Sequence, residues 1–277
     1  MSKLIKDAKK TPFSHVIIIT LFAVGLISIP LEKLFILFID NNLTATLLGG
    51  IITRLLVAIL ALIFIYKYRF NAQFSALNTK NCIIAFVLSM LVAINNAPII
   101  SLITGEVKIT SSTTNIFLYV LYCISIGFAE EFAFRGLIFP LCLKITENKK
   151  FSAFWAIAIN SAVFSLSHLV NLFNGYSIGA VFLQVGYTFL IGAMCAIIFT
   201  LTKNIFFAVI IHVVYDVGGL MCGTIAVGNQ WNILTIIITA ILGVLVCAYM
   251  VYKTFKLNGK QLISQYFTDD EINENNS

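Results

Sequence analysis

Several ionisable side chains lie inside long apolar stretches of the sequence. They are Arg54, Glu130, Glu131, Arg135, His168, His212 and Asp216. A charged group at the centre of a membrane helix costs about 2.5–3.5 kcal/mol on insertion scales, so each of these residues is a candidate functional residue. Carboxylates and imidazoles on neighbouring helices can activate water. The carboxylate serves as general base, and imidazoles hold the water, protonate a leaving group or stabilise an oxyanion.

Helical spacing groups these side chains. Glu131 and Arg135 are four residues apart, as are His212 and Asp216, so each pair shares one helix face. Glu130 lies about 100° around the helix from Glu131 and faces a different neighbour. At 1.5 Å per residue, these groups lie roughly 12–20 Å from the nearest basic or tryptophan residue that marks a membrane surface. The spacing therefore predicts that they meet inside the bundle.

Other kinds of site receive less support from the residues. No serine or cysteine stands beside a base, which leaves a covalent mechanism unsupported. Zinc is possible because carboxylates and imidazoles are its ordinary ligands, but no HExxH motif is present. A structural interpretation also stays open, in which Glu131–Arg135 is an ion pair that orients helices. Arg54 is either a helix–helix contact or a partner for a substrate carboxylate.

The composition indicates what must position these residues. The chain has 277 residues, of which 60% are hydrophobic and 11% are charged, with a mean hydropathy of +0.97. Soluble domains contain about 25% charged residues, so a water-soluble enzyme is excluded. The apolar runs are long and continuous, unlike the short alternating segments of a β-barrel. The six cysteines are scattered and read as small buried hydrophobes.

Runs of about 20 apolar residues predict an all-α, polytopic transmembrane bundle of about eight spans. The predicted spans are 13–30 (or to 39), 43–66, 82–104, 115–143, 151–171, 177–201, 204–222 and 232–252. Most of the 18 Lys and Arg residues fall at one set of span ends, which predicts cytoplasmic N- and C-termini. This clustering explains the net charge of +6 without a nucleic-acid partner.

The domain organisation is predicted to be simple. Residues 1–260 form a single transmembrane helical domain, and the candidate site residues other than Arg54 fall within a core at about 115–222. Residues 261–277 are acidic and rich in asparagine, which is typical of a disordered cytoplasmic tail. No inverted repeat is visible in the sequence.

Three short motifs occur in order on separate predicted spans. They are EExxxR at Glu130–Arg135, FxxxH at Phe164–His168 and HxxxD at His212–Asp216. Together they resemble the CAAX protease and bacteriocin-processing enzyme family of intramembrane proteases, related to the type II CAAX prenyl endopeptidase. The resemblance covers roughly residues 115–222.

The resemblance implies a hydrolase that cleaves peptides at the membrane. Glu130 would activate water, His168 would help to hold it, and His212 with residue 216 would form the oxyanion site. Glu131 and Arg135 would support that site. The prenyl endopeptidases carry asparagine where this chain has Asp216, and an ionised carboxylate repels an oxyanion.

Asp216 must therefore be protonated, orient His212 or bind a metal. Metal-free catalysis by glutamate is favoured. If zinc is bound, the predicted ligands are Glu130, His168, His212 and Asp216.

The leading hypothesis is thus an intramembrane endopeptidase that acts on small membrane-associated peptides or leader peptides. Family resemblance also allows a bacteriocin self-immunity or abortive-infection protein that acts without proteolysis, and the buried acids and histidines allow a proton-coupled transporter. A composition rich in Ile, Asn, Lys and Phe is typical of an AT-rich genome. The predicted location is therefore a bacterial cell membrane, with the lipid bilayer and a peptide or protein substrate as partners.

Overall fold

The computed structural model describes residues 12–70, Phe74 and residues 82–267, and within this part the chain is an all-α bundle with one small sheet. The α-helices are α1 (Pro12–Ile27), α2 (Glu32–Phe35), α3 (Asn42–Tyr68), α4 (Ile83–Asn95), α5 (Ile99–Thr104), α6 (Thr113–Glu131), α7 (Phe139–Ile145), α8 (Ser152–Ser167), α9 (Ile178–Thr202), α10 (Ile205–Gly219), α11 (Ile233–Phe255) and α12 (Gly259–Ile263). A π-helical segment, Phe132–Ile138, joins α6 to α7, and a 3-10 turn, His168–Leu172, follows α8.

Polar residues begin the long helices where the predicted spans begin. The side chain of Asn41 accepts a hydrogen bond from the backbone N–H of Thr44 at the start of α3. Ser112, Ser177 and Asn232 cap α6, α9 and α11 in the same way. Each cap satisfies a backbone donor that a helix start leaves unpaired.

Within the described residues, seven helical stretches are long and apolar enough to cross a membrane. They correspond to seven of the predicted spans, with ends that agree within a few residues except at the first, where the stretch includes α2. The remaining predicted span, 204–222, is the 15-residue helix α10, which falls below the length of a full crossing. At 1.5 Å per residue α10 is about 22 Å long, against a hydrocarbon core of about 30 Å. The count of eight spans and the cytoplasmic termini therefore stay predictions.

The third predicted span, 82–104, is divided in the structure. Helix α4 ends at Asn95 and α5 begins at Ile99, with Pro98 between them. Proline disfavours helical geometry in the residue before it, which explains the break. The break also makes room for α10, because a Cβ added at Gly218 would lie 2.5 Å from the backbone nitrogen of Ala97.

The centre of the bundle is formed by α3, α6, α8, α9 and α10. Helix α6 packs against α3 and α10, and α9 packs against α8 and α10. A two-stranded antiparallel sheet, β1 (Val107–Ile109) and β2 (Ala226–Gly228), joins the connection before α6 to the connection after α10. The sequence did not predict this sheet.

The C-terminal end differs from the expectation of a disordered tail from residue 261. Helix α12 continues to Ile263, and Tyr266 and Phe267 are buried against Phe70, with ring centroids 5.8 and 5.7 Å apart. The apolar residues between 262 and 267 account for this packing. The acidic part of the predicted tail lies outside the described residues.

Candidate active site

The two adjacent glutamates lie where α6 changes to π-helical geometry. Glu131 is the last residue of α6, and Phe132 begins the π-helical segment. Such segments are rare and occur often at functional sites, because the extra residue per turn re-aims side chains. The carbonyl of Phe134, inside this segment, accepts a hydrogen bond of 2.9 Å from the Asn160 side chain on α8.

A glycine brings α10 close to the glutamates. A Cβ added at Gly127 on α6 would lie 2.6 Å from the Val213 side chain and 3.4 Å from the carbonyl oxygen of Val209. Only a residue without a side chain allows this approach, which places His212 beside Glu130 and Glu131. Small residues at helix contacts serve this purpose in membrane bundles.

Glu131 is the buried anchor of the site. Its Oε1 accepts hydrogen bonds from Arg135 Nη1 at 2.8 Å and from His212 Nδ1 at 2.6 Å. The side chains of Glu131 and Arg135 are fully buried. Because a carboxylate paired with a guanidinium accepts protons rather than donating them, Nδ1 of His212 carries the hydrogen of this bond. Glu131 therefore orients the imidazole.

Arg135 ties this ion pair to the neighbouring helix. Its Nη2 donates a hydrogen bond of 2.8 Å to the carbonyl of Gly192 on α9. Its guanidinium carbon lies 4.6 Å from the ring centroid of Phe164 on α8, which is a cation–π contact. A Cβ at Gly192 would lie 2.8 Å from the Phe164 ring, so glycine is needed here also.

The other nitrogen of His212 faces two further carboxylates. Nε2 lies 3.5 Å from Glu130 Oε2 and 3.5 Å from Asp216 Oδ2. We call these three residues the Glu130–His212–Asp216 cluster. The Glu130 side chain is 16% exposed and that of Asp216 14%, whereas Glu131 is inaccessible. Of the adjacent glutamates, only Glu130 can meet water or a substrate.

His168 lies beside this cluster rather than within it. Its Nδ1 is 3.1 Å from the carbonyl oxygen of Phe164, so Nδ1 is the donor and Nε2 of the neutral ring is left as an acceptor. The Phe164 ring stands edge-on between the two histidines, with centroids 5.1 Å from His168 and 5.9 Å from His212. The structure thus brings five predicted site residues into direct contact and connects His168 to them through Phe164.

Sequence reasoning did not identify several residues that shape the site. Gly127, Gly192 and Asn160 carry no ionisable group, so the pattern of charges inside apolar spans does not indicate them. A small residue or a neutral amide inside an apolar span is a signal that could have found them. The π-helical segment has no comparable signal in a single sequence.

Zinc binding by Glu130, His168, His212 and Asp216 stays a prediction. Among the described residues, ligand atoms of three or more His, Cys, Asp or Glu side chains converge in one group, Glu131, Cys195 and His212. In that group the Oε1 of Glu131 already accepts from Arg135 and His212, and a cation there would stand next to the Arg135 guanidinium. His168 Nδ1 is engaged with a carbonyl.

A segment of the chain matches a known protein family. Residues 112–218 match the family described as Type II CAAX prenyl endopeptidase Rce1-like. This range begins at the cap of α6, ends within α10 and includes all three sequence motifs. No curated protein and no solved structure matches the chain.

Proposed function

We propose that this multi-pass membrane protein, whose residues 112–218 match the Type II CAAX prenyl endopeptidase Rce1-like family, hydrolyses peptide bonds with water activated by Glu130. The observation that carries the proposal is the contrast between the two glutamates. Glu131 is sealed and held by Arg135, whereas Glu130 is partly exposed and faces His212 Nε2. A general base must reach both water and a proton acceptor or donor, and of the two glutamates only Glu130 does so.

The proposed reaction begins with a water molecule between Glu130 and the substrate carbonyl. Glu130 takes one proton from the water while the oxygen forms a bond to the carbonyl carbon. His168 Nε2, free to accept, holds the second hydrogen of the water. In this proposal Glu130 and His168 each accept one hydrogen of the water, which fixes its orientation for attack.

The tetrahedral oxyanion then needs a hydrogen-bond donor. A protonated Nε2 of His212 provides it, and Glu131 on Nδ1 together with Asp216 near Nε2 stabilises the positive charge that this requires. The carbon–nitrogen bond breaks as the proton held by Glu130 passes to the leaving amine. Asp216 acts here through His212, and the positive charge of the imidazolium offsets the repulsion between the Asp216 carboxylate and the oxyanion.

Metal-free catalysis is part of this proposal. It is supported by the contacts of Glu131, whose Oε1 accepts from Arg135 and from His212 and so places a guanidinium beside the carboxylate that holds the imidazole. The substrates we propose are small membrane-associated peptides or leader peptides, and the proposed location is a bacterial cell membrane.

The test compares peptides from cells that express the wild-type protein or Glu130→Gln at matched levels. New peptide termini found only with the wild type support proteolysis and identify a substrate. Glu106→Gln, an acid that bonds Ser101 away from the site, is the matched control and should behave as wild type. An immunity phenotype that survives Glu130→Gln would favour action without proteolysis, and proton or solute flux in proteoliposomes would favour transport.

A further inference from the structure

Arg54, on α3, is a positive charge inside the bundle that lacks a close counterion. Its guanidinium carbon lies 4.5 Å from the ring centroid of Tyr122, and Nη1 donates a hydrogen bond of 3.2 Å to the carbonyl of Gly50. Its Nε is buried without a hydrogen-bond partner. Within residues 12–70, Phe74 and 82–267, no carboxylate lies within 4 Å of Arg54.

Arg54 belongs to the same polar region as the Glu130–His212–Asp216 cluster. Arg54 contacts Tyr122 on α6, and Tyr119, one turn earlier on the same helix, donates a hydrogen bond of 3.1 Å to the backbone carbonyl of Asp216. Tyr122 precedes Glu130 by eight residues on α6, which is about 12 Å along the helix. Arg54 therefore stands beside the cluster but away from the atoms that react.

The chemistry of the side chain indicates what would bind there. A guanidinium is always charged and carries five N–H donors, of which Arg54 gives one to a protein oxygen. The Tyr122 ring covers one face and leaves the edge with its donors in the plane. A planar fork of this kind matches a carboxylate with two parallel hydrogen bonds. Arg54 is half-buried, so a ligand can reach it.

We propose that Arg54 binds a carboxylate of the peptide substrate and so determines which peptides are cleaved. This inference rests on the proposed function and assigns a specificity residue outside the matched range 112–218. The carboxylate comes either from the peptide C-terminus or from an acidic side chain. Both sources offer the same planar anion to the guanidinium.

The experiment uses the full-length protein in lipid nanodiscs and a library of ten-residue apolar peptides. Each peptide is made with a free C-terminal carboxylate, with a C-terminal amide, and with an amide plus one glutamate. The steady-state constants are measured for the wild type, Arg54→Gln, Arg54→Lys and Arg69→Gln. Arg69 is exposed at the end of α3 and is the matched control.

The wild type is expected to cleave peptides that carry a carboxylate about 10- to 100-fold better in kcat/KM than the amides, through KM. Arg54→Gln should remove this preference and leave the kcat and the cleavage of the amides unchanged. Arg54→Lys keeps the charge but not the fork and should fall between the two. If the amide with one glutamate is cleaved as well as the free acid, an acidic side chain is the source of the carboxylate. If only the free acid is cleaved well, the peptide C-terminus is the source.

Two results overturn the inference. One is a wild type that cleaves acids and amides equally. The other is an Arg54→Gln protein whose kcat falls by the same factor for every peptide, which would assign Arg54 to positioning Asp216.

Failure of the proposed function looks different, because the wild type would then cleave no peptide or Glu130→Gln would cleave normally. In that case, the binding affinity of the same peptides is compared between the Glu130→Gln protein and the double variant that also carries Arg54→Gln. This comparison tests the role of Arg54 without cleavage. A preference for carboxylates that depends on Arg54 supports the inference, and equal binding of acids and amides contradicts it.

Discussion

Replacing each of the adjacent glutamates by glutamine should separate a structural from a catalytic carboxylate. Glu131→Gln removes the charge that accepts from both Arg135 and His212 and leaves the buried guanidinium of Arg135 without its counterion. Breaking one side of a buried ion pair costs about 3–5 kcal/mol. Glu130→Gln changes a partly exposed group whose Oε2 lies 3.5 Å from His212 Nε2, so its effect on the free energy of unfolding should stay within about 1 kcal/mol.

These values translate into a measurable difference in thermal unfolding. For a chain of this size, 1 kcal/mol moves the unfolding midpoint by about 2–4 °C, so Glu131→Gln should lower it by about 6–20 °C. Glu130→Gln should leave the midpoint within about 4 °C of wild type and abolish cleavage. The assay is thermal unfolding of both purified variants in the same detergent, with cleavage measured well below both midpoints. Equal loss of stability in the two variants, or a stable Glu131→Gln protein, would refute the different roles assigned to them.

Three further predictions concern the surroundings of this pair. Asp216→Asn keeps a hydrogen-bonding group beside His212 Nε2, so its initial rate of peptide cleavage should stay within about 10-fold of the wild-type rate. Asp216→Ala removes that group, and its initial rate should fall below that of Asp216→Asn. Gly127→Leu should lower both the unfolding midpoint and the cleavage rate, because its Cβ alone would lie 2.6 Å from the Val213 side chain and the larger residue would push α10 away from α6. Gly243→Leu is the control, since a Cβ at Gly243 would meet no atom within 4 Å. Treatment with a chelator should leave cleavage unchanged and metal analysis should find less than one zinc per protein; loss of activity that zinc restores would contradict metal-free catalysis.

Most of the helices could be predicted from the sequence, because a membrane-spanning helix requires a long run of apolar residues. Span ends were predicted within a few residues at most helices, since the apolar runs end close to the helix ends and basic residues mark one set of them. The break before Pro98 and the short α10 were not predicted, because hydropathy does not distinguish a continuous span from two packed pieces. The buried aromatic end at Tyr266 and Phe267 depends on contacts with Phe70, which lies far away in the chain.

The candidate site was predicted in its residues but not in its arrangement. Four-residue spacing correctly paired Glu131 with Arg135, and the structure shows His212 bonded to that same glutamate. Which of the two glutamates is exposed could not be read from spacing, because it depends on how closely α10 approaches at Gly127. The position of His168, across the Phe164 ring from His212, likewise depends on the 3-10 turn that follows α8.

The central claim is that Glu130 activates the water that cleaves the peptide bond. The most direct measurement is hydrolysis of an identified peptide by purified protein in ¹⁸O-labelled water, with product oxygen and rate followed by mass spectrometry. The account predicts one ¹⁸O atom in each new C-terminal carboxylate with the wild type. It also predicts a rate lower by about 10²–10⁴-fold with Glu130→Gln at an unchanged unfolding midpoint. Product formed by Glu130→Gln at the wild-type rate would contradict it.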